Sequence, residues 1–67
     1  MTRIFLNGEP REVEAASVAA LLAELGMAER GGVAVELNAE VVPRSQHAAQ
    51  PLREGDRVEI VTMMAGG

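Results

Sequence analysis

The chain ends in Met63-Met64-Ala65-Gly66-Gly67, and this end is where chemistry is available. A terminal carboxylate is a poor electrophile until one of its oxygens joins a good leaving group, and transfer of AMP from ATP supplies one. Gly66 and Gly67 have no Cβ, so they can thread a narrow channel and take backbone angles closed to other residues. Extended, Met64 to Gly67 reach at most about 14 Å, enough to cross into another protein's active site. The two glycines decide nothing by themselves. At about 7% glycine, a chain ends this way about once in 200 by chance, and small residues also collect at frayed ends.

The remaining side chains offer little competing chemistry. There is no Cys, hence no thiol nucleophile, no disulfide framework and no Cys-containing zinc site. All six basic residues are Arg, which removes Schiff-base chemistry and any side-chain amine that could be acylated. His47 is the only His, expected as a surface residue in a short turn, and a Ser/His/Asp relay would depend on it alone. Arg30-Gly31-Gly32 precedes a strand pattern instead of opening a helix, so it reads as a loop and not as a phosphate cradle. The acidic residues are scattered, and no catalytic side chain and no metal site are expected. Phe5 is the single aromatic and the net charge is −4, which argues against nucleic-acid partners. No run approaches the roughly 20 apolar residues of a membrane span. The first residues hold only three consecutive bulky apolar side chains, too few for a signal peptide, and the expected compartment is the cytoplasm.

The elements that must position the tail can be read from periodicity. Arg3 to Leu6 is a strand, Asn7-Gly8 a hairpin turn, and Arg11 to Glu14 the return strand, with Pro10 at the turn or strand start. Ser17 is an N-cap, and Val18, Leu21, Leu22 and Leu25 fall on one helical face closed by Gly26. Val33 to Leu37 alternates as a strand; Asn38-Ala39-Glu40 turns into Val41-Val42, stopped by Pro43. Ser45 to Gln50 is expected as one helical turn. Glu54-Gly55-Asp56 is a turn leading into a last strand from Arg57 to Met63. One α+β domain over residues 1–67 follows, a sheet covered on one face by a helix, with a flexible tail at 64–67. Its expected core is Ile4, Leu6, Val18, Leu21, Leu22, Leu25, Val35, Leu37, Val58 and Ile60.

At this point the residues resemble a family. Asn7-Gly8, the amphipathic helix, Val35-Glu36-Leu37-Asn38, Val41-Val42-Pro43-Arg44, Glu54-Gly55-Asp56-Arg57-Val58-Glu59-Ile60 and Ala65-Gly66-Gly67 are similar to the ubiquitin-like β-grasp sulfur carriers of the ThiS type. These spacings are more specific than the terminal glycines, and they cover nearly the whole chain. The Ala-rich helix departs from the pattern, as does His47. The resemblance implies a mixed β-grasp sheet packed on one helix. It also implies a cycle in which a ThiF-like adenylyltransferase uses Mg-ATP to convert the Gly67 carboxylate to an acyl-adenylate. Sulfur from a cysteine-derived persulfide then yields a Gly67 thiocarboxylate, which a ThiG-like thiazole synthase consumes in thiamine biosynthesis. The chain would be a carrier and not an enzyme, binding no cofactor itself, with Ala65, Gly66 and Gly67 threading the partner's site.

Three alternatives share these features: the small subunit of molybdopterin synthase, carriers for cysteine or thiolated-tRNA synthesis, and ubiquitin-type modifiers that form amides with Lys. A plain interaction module is a further one. Strand alternation turns Phe5, Val61 and Met63 away from the core, so they and Met64 are expected as an apolar partner interface beside the tail, with Asp56 and Glu59 steering toward basic rims.

Overall fold

The computed structural model describes residues 1–63. The elements run β1 (Thr2–Leu6), β2 (Glu9–Val13), α1 (Val18–Glu24), β3 (Val33–Leu37), β4 (Glu40–Val42), a short 3-10 turn (Arg44–Gln46) and β5 (Arg57–Thr62). The strands form one sheet in the order β2-β1-β5-β3-β4, so the last strand in sequence is the central one in space. β1 and β5 are parallel; the other neighbours are antiparallel. This is the mixed β-grasp sheet that the family resemblance implies.

Both hairpins turn on residues with positive φ. Asn7 (φ 50) and Gly8 (φ 87) join β1 to β2, and Asn38 (φ 51) and Ala39 (φ 72) join β3 to β4. Such pairs match the twist of the strands they connect. Pro10 lies inside β2 opposite Phe5, one step beyond the turn or strand start expected for it. It is tolerated because β2 is an edge strand. Phe5 spends its N–H on the Asp56 carbonyl at 2.9 Å, on the β5 side, so no ladder bond is missing.

The helix is short and fully capped. Ser17 Oγ accepts from the Ala20 N–H at 3.1 Å. The Val18 and Ala19 N–H groups donate to the Gln50 and His47 carbonyls, each at 2.9 Å, so the loop after β4 closes over the helix start. At the other end Gly26 (φ 76) reverses the chain. There the Met27 N–H reaches the Leu22 carbonyl at 2.7 Å and the Gly26 N–H reaches the Ala23 carbonyl at 3.0 Å.

The core is Ile4, Val13, Ala15, Val18, Leu21, Leu22, Val35, Leu37, Val42, Leu52 and Val58. Leu6, Leu25 and Ile60, expected inside, are only half-buried. The helix stops at Glu24, and these three line the mouth of an open groove with Asn7, Met27 and Thr62. Four residues not expected in the core, Val13, Ala15, Val42 and Leu52, help fill it instead. His47 is buried as well, at 8% exposure, which corrects the surface position expected for it. Its Nε2–H donates to the Val42 carbonyl at 3.0 Å, and the Leu52 N–H donates to the Ala16 carbonyl at 3.0 Å, so this loop packs inward on α1.

Candidate functional site

The tail grows from β5, the strand held on both sides by the rest of the sheet. Met64, Ala65, Gly66 and Gly67 lie outside the described residues. The base of the site is the end of β5, the loop beside it, and the sheet face that α1 leaves uncovered. Among the described residues, no group of three or more metal-ligating side chains comes together.

Alternation in β5 sends Val58 and Ile60 toward α1 and Arg57, Glu59 and Val61 to the outer face. Phe5 is paired with Arg57, and Val61 with Ala34. Phe5, Val61 and Met63 are exposed at 38%, 52% and 62%. Phe5 and Val61 share the outer face, but they do not touch. At about 3.3 Å per residue, Phe5 beside Arg57 stands about 13 Å from Val61, and Glu59 lies between. The single patch expected from alternation is thus two apolar spots. The offset between β1 and β5, which the sequence does not carry, separates them.

A charged row divides the spots. Glu36 of β3 faces Glu59 of β5 directly, and Val41 of β4 faces Glu36 from the other side. Val41 is 70% exposed and was not expected at the site. The signal was available: adjacent Val41 and Val42 in a strand cannot both point inward. Asp56, expected to steer partners, is occupied within the fold. Its Oδ2 accepts from the Arg53 N–H at 2.8 Å and its Oδ1 from Asn38 Nδ2 at 3.1 Å.

Two turn residues do more than turn. Asn7 Oδ1 accepts from the Ile60 N–H at 2.8 Å, and Asn7 Nδ2 donates to the Ile60 carbonyl at 3.4 Å. Asn38 Oδ1 accepts from the Arg57 N–H at 2.9 Å. Each side chain replaces a strand neighbour and extends the pairing of β5 beyond the backbone ladders. The strand that leads to the tail is thereby fixed along its length.

The sequence matches the ThiS family over residues 4–67. The chain belongs to the ThiS family of sulfur carriers. It is 45% identical to the sulfur carrier protein ThiS of Thermus thermophilus over 64 residues, covering 96% of this chain and 98% of that one. It is 46% identical over 66 residues to a thiazole synthase of Paramagnetospirillum magneticum, covering 97% of this chain but 20% of the relative's length. The crystal structure of the thiamine biosynthesis protein ThiS from Geobacter metallireducens superposes with a TM-score of 0.82. That match has 38% identity and covers 98% of this chain and all of the other. In this ThiS-family chain, β5 is the described element that runs on into the family's terminal residues.

Proposed function

We infer that this ThiS-family chain carries sulfur for thiazole formation in thiamine biosynthesis, on the carboxyl group of Gly67. One observation carries this reading: the family match runs through the tail to residue 67. An adenylyltransferase of the ThiF type activates the carboxylate with Mg-ATP, releasing pyrophosphate. The terminal sulfur of a cysteine persulfide attacks the acyl carbon, and AMP leaves. Cleavage of the remaining S–S bond by a thiol leaves the thiocarboxylate, whose anionic sulfur is the nucleophile that a ThiG-like thiazole synthase receives.

Catalysis belongs to the partners; this chain is their cosubstrate, and ATP is bound by the activating enzyme. The absence of Cys and Lys suits that role. No thiol of the carrier competes for sulfur, and no side-chain amine of a second copy traps the acyl-adenylate. Phe5 and Met63, with Val61 and Met64, are the residues that contact partners. The thioether of Met adapts to the activating and the accepting enzyme in turn.

The test is intact mass after incubation with ATP, a ThiF-type adenylyltransferase and a persulfide donor. The expected product is heavier by about 16 Da, one sulfur in place of one oxygen. Gly66→Val, or one residue added after Gly67, abolishes the gain without altering the fold, because a β-branched side chain or an out-of-register carbonyl does not fit a channel shaped for glycine. A wild-type chain that gains no sulfur overturns the reading. A modified Gly66→Val chain refutes the requirement for a bare tail.

A further inference from the structure

The loop Gly31-Gly32 has no part in the proposed sulfur transfer, yet it meets the end of β5. Gly32 has φ +71, in the region that L side chains rarely adopt, and it stands immediately before β3. The last ladder pair of β3 and β5 is Val33 with Thr62. Pairing nevertheless continues one residue further, because the Met63 N–H donates to the Gly32 carbonyl at 2.6 Å.

That extra step depends on the missing side chain. A Cβ on Gly32 would lie 2.5 Å from the Met63 carbonyl oxygen and 3.5 Å from its carbonyl carbon. Both are backbone atoms, so nothing flexible can swing aside. Gly31, next to it, has nothing within 4 Å of its own Cβ position. The close approach therefore belongs to Gly32 and not to the loop in general.

We propose that Gly32 is a positioning residue for the reactive tail. It holds Met63 by the N–H and lies against its carbonyl, which belongs to the peptide bond joining Met63 to Met64. The orientation of that peptide sets the direction in which the chain leaves Met63. Misplacement of a reacting group by 1 Å can already cost about 100-fold in rate. Gly32 thus acts on the Gly67 carboxylate at a distance, by keeping its point of departure fixed. This inference rests on the sulfur-carrier reading.

The experiment measures adenylation of the wild-type chain, Gly32→Ala and Gly31→Ala by a ThiF-type enzyme, with kcat and KM separated. Amide exchange at Met63 is followed in the same samples. Gly32→Ala is expected to lower kcat at least 10-fold and to change KM less than kcat, because Phe5 and Val61 keep their places while the chain leaves Met63 misdirected. Protection of the Met63 amide is lost and that of the β3–β5 ladder retained. Gly31→Ala follows wild type in both readouts. Should Gly32→Ala fail to fold, Met63→Pro removes the same hydrogen bond from the other side. It is compared with Met63→Ala, which loses the same side chain and keeps the N–H. Wild-type kcat for Gly32→Ala, or for Met63→Pro relative to Met63→Ala, overturns the proposal, as does an equal loss in Gly31→Ala. If the wild-type chain itself is not adenylated, the sulfur-carrier reading fails instead, and exchange at Met63 still decides whether Gly32 holds it.

Discussion

Replacing Asn7 by glycine isolates the side-chain stitch that joins the first hairpin to β5. Glycine accepts the φ of 50 at this position, so the turn survives and only the side-chain bonds to Ile60 disappear. The bond from the Ile60 N–H, at 2.8 Å, is well formed and contributes about 0.5–1.5 kcal/mol net. The second, at 3.4 Å, lies near the limit of a hydrogen bond and adds little. The greater freedom of glycine in the unfolded chain brings the total to about 1–2 kcal/mol. A domain of this size has about 3–10 kcal/mol in all. At about 4–8 °C per kcal/mol, the midpoint of thermal unfolding falls by about 4–16 °C. The assay is urea and thermal unfolding at high salt, with Asn7→Asp as the companion variant. Asp keeps the acceptor for the Ile60 N–H, and salt screens its added charge. It is expected to lose less than half of what glycine loses. If Asn7→Gly unfolds like wild type, or Asp is as damaging as Gly, the stitch is not an energetic link.

Other expectations follow from single positions. Leu22→Ala, on the buried face of α1, destabilises by about 2–5 kcal/mol in urea unfolding, and wild-type melting would mean that the helix does not cover the sheet. Ala39→Gly relieves a φ of +72 and is expected to stabilise by about 0.5–1 kcal/mol, since a left-handed L residue costs about 1–2 and glycine's unfolded freedom offsets part of that. A lowered unfolding midpoint would contradict this. Glu36→Gln removes the repulsion across from Glu59 and raises stability by about 0.2–1 kcal/mol at low salt, less at high salt. A gain that does not shrink with salt would show that charge is not its source.

How far the fold was legible depended on whether a residue's role is local. Ser17, the stripe Val18-Leu21-Leu22 and Gly26 announce a capped helix because these signals are local: Ser17 caps a residue three further on, and the stripe repeats from turn to turn. Asn7-Gly8 announces a hairpin for the same reason. Roles set by distant chain were hidden. Val13 is the only large apolar residue of β2, and Leu52 stands among Pro51, Arg53 and Glu54, so neither shows a pattern. His47 sits between Gln46 and Ala48, and only the fold-back of its loop onto α1 gives it a buried carbonyl partner. The site divides in the same way. The alternation of β5 shows that Val61 faces outward, whereas the distance from Phe5 to Val61 depends on the offset of two strands some 50 residues apart in sequence. Gly32 is the plainest case, since a loop glycine has no visible purpose until Met63 is placed beside it.

The central position of β5 also governs how the protein answers to force. A partner that grips the tail and draws it into a channel applies tension along β5. An edge strand would peel from its neighbour one hydrogen bond at a time. β5 is instead flanked by β1 and β3, and its pull runs parallel to both ladders, so the bonds resist together in shear. Asn7 and Asn38 add rungs at Ile60 and Arg57. A pull on the chain beyond Met63 is therefore shared by the strands on both sides of β5. Under the proposed function, the body keeps its shape each time a partner takes hold of the chain and lets it go.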